Sequence, residues 1–233
     1  MKISAATQGL APSRESTGGD GIAGHVCAAI KRAPRIAAPW PHWHIADVLP
    51  SDVLRELAAL PLSPPIADGL SGRREYGNPE RIYLDRANMG RSRLMRDVAA
   101  AFQSAAVTKT VCGTFAAPIE ETFLRIEYAL DTDGFWLEPH TDIGAKKFTC
   151  FIYLDGAGDL GTDIYVEPRK FAYRVPFAPN SALAFVPGDK TWHGLAPRPI
   201  RGVRRSLIIN YVDREWRARE QLAFPDLPVR LAR

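Results

Sequence analysis

A chain of 233 residues, 46% of them hydrophobic, is long enough to bury one substantial core and short for two domains of ordinary size. Its formal charge of +4 comes from 30 basic residues mixed among 26 acidic ones, which speaks against a dedicated polyanion-binding protein. Cys27, Cys112 and Cys150 are odd in number and widely separated, so reduced thiols are expected rather than a disulfide framework or a cysteine-rich zinc site.

Residues 1–24 are rich in Ser, Thr, Gly and Ala and close on Gly18-Gly-Asp-Gly21, a composition that predicts a flexible N-terminal tail ahead of a single domain over 25–233. Gln8, Arg14, Glu15 and Asp20 interrupt any signal-peptide core, and no apolar run reaches bilayer-spanning length. A cytoplasmic location is expected. Pro39-Trp-Pro-His-Trp-His-Ile45 reads as the strand that opens the domain, and its His42 and His44, set among Trp40, Trp43 and Ile45, are expected to be structural. Ser51 is the predicted N-cap of a helix over 52–60.

From 61 to about 88 the chain is broken by Pro64-Pro65, Gly69, Gly72 and Gly77-Asn-Pro79. So long a connection predicts a functional lid within 61–91, carrying Arg73, Arg74, Tyr76, Arg81 and Tyr83. A second helix is predicted from Ser92 to Ala106, with Leu94, Val98 and Phe102 as its apolar stripe, inside a helical and lid region of 46–121. After Thr122 the pattern changes to short strands punctuated by Gly, Pro and Asp, the mark of an antiparallel sandwich or barrel core over 122–212. Gly156-Ala-Gly-Asp-Leu-Gly161 matches a dinucleotide fingerprint but is followed by β-forming Thr162-Asp-Ile-Tyr-Val166, so a glycine-rich hairpin loop is expected. A short polar helix is predicted over 214–221.

The chemistry is concentrated in three places. In a strand, side chains two apart share a face, so His140 and Asp142 can present an imidazole and a carboxylate to one point. His193, after an apolar strand and the turn at Pro187-Gly188, is the best third donor. Two histidines and one carboxylate make the facial triad expected of a non-haem iron(II) oxygenase, and a catalytic zinc site is the rival. On the β-forming stretch that follows, Arg204 and Ser206 share a face, and a guanidinium beside a hydroxyl suits the carboxylate of a dicarboxylate cosubstrate.

His140-x-Asp142, His193 and Arg204-x-Ser206, in that order, resemble the signature of the 2-oxoglutarate- and Fe(II)-dependent oxygenase superfamily. Lys147-Phe-Thr-Cys-Phe-Ile-Tyr-Leu154, Leu160-Gly-Thr-Asp-Ile-Tyr165 and Pro179-Asn-Ser-Ala-Leu-Ala-Phe-Val-Pro-Gly188 are similar to its prolyl-hydroxylase-like branch. The resemblance runs from about Thr122 to Tyr211. It implies a mainly β fold with flanking helices, the double-stranded β-helix or cupin-like jelly roll. It also implies Fe(II) on His140, Asp142 and His193, and 2-oxoglutarate held by Arg204 with help from Ser206 and Tyr128. The implied activity is hydroxylation of an unactivated C–H of a small molecule by dioxygen, with release of succinate and carbon dioxide. A family halogenase lacks a carboxylate where Asp142 stands, so hydroxylation, desaturation or cyclisation is favoured.

Arg73, Arg74, Arg81 and Arg205 are candidates to recognise a carboxylate or phosphate on an amino acid or natural-product intermediate. The alternatives are a protein side chain, a nucleic-acid base, since Arg198 and Arg204 resemble the paired arginines of the superfamily's demethylases although the cluster fits the Arg-x-Ser pattern better, or a cupin-like metal-binding module without turnover. The modest charge disfavours nucleic acid.

Overall fold

Ile22, Val26, Ala29 and Ile30 recur at helical spacing and lie buried along one side of α1, Gly19–Arg32. This is the first element of the computed structural model, which describes residues 17–64, 72 and 81–231. The expected tail is thereby corrected at its end: residues 1–16 lie outside the described residues, but Gly19–Gly24 are helical and Ile22 is fully buried. Their glycines conceal an apolar stripe that continues into Val26, and Thr17 ties the segment down through its N–H and hydroxyl, which donate to Asp52 Oδ2 at 3.0 and 2.7 Å.

Strands β1, Arg35–Ile36, and β2, His42–Ala46, lead to α2, Ser51–Ala58. Ser51 is its first helical residue, not its cap; Pro50 takes the cap position, and no side-chain capping bond forms. Tyr83 and Ile82 make the short β3, and α3, Arg86–Arg91, follows within the stretch expected to be irregular because Asp85 accepts the Asn88 N–H at 2.8 Å. Arg73, Arg74 and Tyr76 of the expected lid lie outside the described residues. The single helix predicted over Ser92–Ala106 is two. α4, Arg93–Gln103, is capped by Ser92, and Ser104, in an extended conformation, stops it and caps α5, Ala105–Phe115.

The remainder is strand: β4 Phe123–Asp131, β5 Leu137–His140, β6 Lys146–Ala157, β7 Asp163–Glu167, β8 Lys170–Arg174, β9 Ser181–Phe185, β10 His193–Leu195 and β11 Arg201–Val212. They form a seven-stranded sheet, β1-β2-β9-β6-β11-β4-β3, facing a four-stranded sheet, β5-β10-β7-β8, with antiparallel pairing throughout the described strands. The expected jelly roll is observed. Residues 214–221 form turns and one 3-10 turn, Arg219–Gln221, rather than a polar helix. Gly156–Gly161 carries the chain between the two sheets, so it is a crossover and not a hairpin. At Gly161 a Cβ would sit 1.6 Å from the Val175 carbonyl oxygen, an approach only glycine permits.

Period-two alternation in β4 sets the layers. Leu124, Ile126, Tyr128 and Leu130 join the large apolar cluster that also holds Ile22, Val98, Phe102 and Val111 of the helices. Arg125, Glu127 and Asp131 turn the other way, between the sheets. On β11 the same split sends Leu207, Ile209 and Tyr211 to the helical side and leaves Arg204, Ser206, Ile208 and Asn210 opposite Asp131, Ala129, Glu127 and Arg125. Helices thus cover one face of the larger sheet and leave the other to build a polar cavity.

Candidate metal centre

His140 and His193 are register partners on β5 and β10, so antiparallel pairing alone brings their side chains together; the ring centroids are 4.4 Å apart. Asp142 follows two residues beyond His140, just past the end of β5. One ligand atom of each of His140, Asp142 and His193 lies within 4.8 Å of the others. The sequence placed these three together, and the fold does so.

Each imidazole is oriented from behind. His140 Nδ1 lies 2.8 Å from the Glu138 carbonyl oxygen and His193 Nδ1 lies 2.9 Å from that of Thr191, so both Nδ1 atoms carry the proton and both Nε2 atoms keep a lone pair. His193 Nε2 is buried and has no hydrogen-bond partner among the described residues. An orphaned buried acceptor calls for an explanation, and a metal ion supplies one. Burial, and after it the neighbouring His140, lower the His193 pKa to about 4, which keeps the ring in the neutral form that binds metal.

Burial opposes ionisation of Asp142, but Lys146 overcomes it and holds the carboxyl well below the usual range. Lys146 Nζ donates to Oδ1 at 2.5 Å, and the Thr149 hydroxyl donates to Oδ2 at 2.7 Å. Two imidazoles and a carboxylate, each held by a second bond, fit a divalent transition metal.

The three residues line a cavity of about 490 Å³ between the sheets. At one end is Arg204, 3% exposed, whose Nε donates to the Leu160 carbonyl at 2.8 Å and whose Nη1 donates to Asp131 Oδ2 at 2.7 Å. Nη2 finds no acceptor among the described residues. Ser206 Oγ, two residues on and fully buried, also has no partner among them. Sequence reasoning missed Asp131, which occupies one arm of the expected clamp, and Tyr153, whose ring lies under the guanidinium at 5.4 Å and whose hydroxyl meets Thr162.

Tyr128 is a correction. It belongs to the apolar parity of β4, so it points into the helical core and its hydroxyl donates to the Leu57 carbonyl oxygen at 2.7 Å, away from the cavity. Arg205 is another, since it faces away from Arg204 and pairs with Asp155 at 3.0 Å. Arg198 is spent on Asp163. His42 and His44, expected to be structural, both reach the Tyr173 hydroxyl and so tie β2 to β8.

At the other end of the cavity are Arg81, Arg125, Glu127, Lys146 and Trp216. Arg125 is 1% exposed and donates to Glu127 Oε2 at 2.9 Å, while Arg81 donates to the same oxygen at 2.8 Å. Trp216 Nε1 is buried without a hydrogen-bond partner among the described residues.

No family model matches the sequence, and no curated protein sequence matches it. Solved structures do. A Pseudomonas putida prolyl-4-hydroxylase superposes with a TM-score of 0.52 at 18% identity, covering 83% of this chain and 95% of that one. A Trichoplax adhaerens prolyl hydroxylase, solved with a hypoxia-inducible-factor peptide fragment, gives 0.53 at 12% identity over 86% of this chain and 93% of its own. A Phytophthora capsici prolyl 4-hydroxylase gives 0.54 at 14% identity over 90% and 70%. The fold is the one these prolyl hydroxylases share. At these identities the likeness is one of fold, and the chemistry of the cavity follows from this chain's own residues. No helix among the described residues is long and apolar enough to cross a membrane.

Proposed function

We propose that this chain is a non-haem iron(II)- and 2-oxoglutarate-dependent dioxygenase that hydroxylates an unactivated C–H of a small acidic molecule of the amino-acid or natural-product kind. The observation that carries the proposal is the buried Nε2 of His193, without a hydrogen-bond partner among the described residues and set beside His140 and Asp142 in a cavity walled by Arg204. His140, Asp142 and His193 would hold the iron. Bound there with 2-oxoglutarate, iron(II) supplies the chemistry that converts substrate, dioxygen and 2-oxoglutarate to hydroxylated product, succinate and carbon dioxide.

The protein's own contribution is orientation and charge. Thr191 and Glu138 fix the imidazole tautomers; Thr149 fixes the carboxylate. Arg204 Nη2 and the Ser206 hydroxyl, without acceptors among the described residues, are two donors for the far carboxylate of 2-oxoglutarate, and Asp131 holds the guanidinium in place for it. Phe151, Leu195 and Ile208 line the wall between and keep water from the reacting atoms. For the substrate's acidic group, Lys146 and Arg81 offer charge and Trp216 an unpaired N–H. The cavity volume falls within the range of small-molecule sites.

Anaerobic addition of 2-oxoglutarate to the iron(II)-loaded protein tests this. A visible charge-transfer band is expected in the wild type, weakened in Arg204→Ala and absent in His193→Ala. Iron bound without any band would overturn the oxygenase reading in favour of a metal-binding module without turnover. Succinate release is then screened against small acids, proline-containing peptides and oligonucleotides, with stimulation expected from the acids. Stimulation only by peptides, or only by oligonucleotides in a salt-sensitive manner, would overturn the small-molecule assignment.

A further inference from the structure

We propose that Thr149, Asn210 and Arg125 are positioning residues that hold the Asp142 carboxylate with a single oxygen left to the metal. The proposal rests on the reading of His140, Asp142 and His193 as a metal site.

Arg125 on β4 is the register partner of Asn210 on β11, and Asn210 is the register partner of Thr149 on β6. Three adjacent strands therefore set the three side chains in one row on the cavity face of the larger sheet. The side chains are bonded in that order. Arg125 Nη1 donates to Asn210 Oδ1 at 3.0 Å, Asn210 Nδ2 donates to Thr149 Oγ1 at 2.9 Å, and Thr149 Oγ1 donates to Asp142 Oδ2 at 2.7 Å. Arg125 is 1% exposed, Thr149 and Asn210 are fully buried, and the Asp142 side chain is 2% exposed.

The direction of the row is forced by chemistry. A guanidinium has donors only, so the Asn210 amide must turn its oxygen to Arg125 and its NH₂ to Thr149. The Thr149 hydroxyl then accepts from Asn210, and its single proton is left for Asp142. Each bond polarises the next, and the final one falls on an anion buried away from water. The far end cannot relax, because Arg125 is held by Glu127 and by Gln221 Oε1 at 3.0 Å, and is stacked between the rings of Tyr83 and Trp216 at 4.8 and 4.9 Å. Oδ2 is thus held by a fixed, buried donor, whereas Oδ1 carries the partly exposed Lys146 ammonium, so Oδ1 is the oxygen a metal can take by displacing it.

Thr149→Val keeps the shape and removes the proton. Asn210→Asp cannot donate to Thr149, so the single hydroxyl proton is shared between the carboxylates at 142 and 210, while the pairing with Arg125 is retained. Cobalt(II) titration of the metal-free protein, read by its d–d absorption, is expected to show about ten- to hundredfold weaker binding in both variants. Thr149→Ser, which keeps the hydroxyl, is expected to bind within a few-fold of wild type. Circular dichroism of each metal-free variant shows which have folded, and either of the two weakening variants suffices. A folded Thr149→Val or Asn210→Asp with wild-type cobalt affinity would overturn the proposal. A wild type that binds no divalent metal would instead remove the metal-site reading beneath it, a different result in the same experiment.

Discussion

Arg204 on β11 stands directly opposite Asp131 on β4, and the two form a buried ion pair of 2.7 Å at the end of the cavity away from Lys146 and Arg125. The carboxylate neutralises the guanidinium yet leaves Nη2 without an acceptor among the described residues, so the pair holds Arg204 in one place rather than removing it from service.

The two partners are therefore expected to respond in opposite directions. Arg204→Ala breaks the buried ion pair with Asp131, which lowers stability, and it removes the cosubstrate's cation, so the KM for 2-oxoglutarate rises at least tenfold. Asp131→Asn removes the competing charge, and 2-oxoglutarate binding is expected to tighten a few-fold although the protein melts lower. Calorimetric titration of both variants checks this; equal weakening in both would show that Asp131 does not compete for the guanidinium.

Tyr128→Phe is expected to leave 2-oxoglutarate affinity unchanged, because the hydroxyl serves the Leu57 carbonyl on the helical side of the sheet. Its cost is one buried hydrogen bond, about 0.5–1.5 kcal/mol or somewhat more for the stranded carbonyl. Denaturant unfolding and the KM for 2-oxoglutarate, measured together, decide the matter; a raised KM with unaltered stability would place Tyr128 in the cosubstrate site after all.

Tyr128 also shows where the site was legible and where it was not. His140 and Asp142 could be paired from a spacing of two, and the order His193, Arg204, Ser206 could be read along the chain, because each depends on local geometry. The parity of β4 was also present in the residues: Arg125, Glu127 and Asp131 alternate with Leu124, Ile126 and Leu130, and Tyr128 falls with the apolar set. Thr149 and Asn210 carried no such signal. They meet only because β6 and β11 pair in one particular register, and register is a tertiary fact. Ser104 was concealed for the opposite reason, since alanines on both sides continue a helical pattern through a residue whose side chain caps the next helix.

Stability of the metal-free protein is expected to fall as the pH drops from about 6.5 to about 4. Burial, with His42 adding to it at His44 and His140 at His193, lowers both pKa values from the ordinary 6.5 to about 4. Within that window the unfolded chain binds protons that the folded chain refuses, so acid favours unfolding, and the loss levels off below the folded values. Denaturant midpoints at pH 7, 5.5 and 4.5 are expected to decrease in that order, with a shallower decline in His44→Gln; a flat series would refute the burial of neutral histidines.

Lys146→Met is expected to strengthen metal binding, the reverse of Thr149→Val, although both side chains bond the same carboxylate. Lys146 Nζ lies on Asp142 Oδ1, the oxygen a metal would take, so the ammonium and the metal compete for one position. Without Lys146 the metal-free protein keeps a buried carboxylate that has lost a charged hydrogen bond, a loss of about 1.5–3 kcal/mol moderated by the partial exposure of the ammonium. The metal-loaded protein loses less, because the ion itself supplies positive charge. The difference appears as tighter binding, about tenfold for each 1.4 kcal/mol, and as a larger metal-induced rise in melting temperature from a lower starting point. Substrate is expected to move the other way. If Lys146, once displaced from Asp142, holds the acidic group of the substrate, Lys146→Met raises the substrate KM while leaving that for 2-oxoglutarate unchanged. Weaker metal binding in Lys146→Met would show instead that the ammonium supports the metal-bound carboxylate.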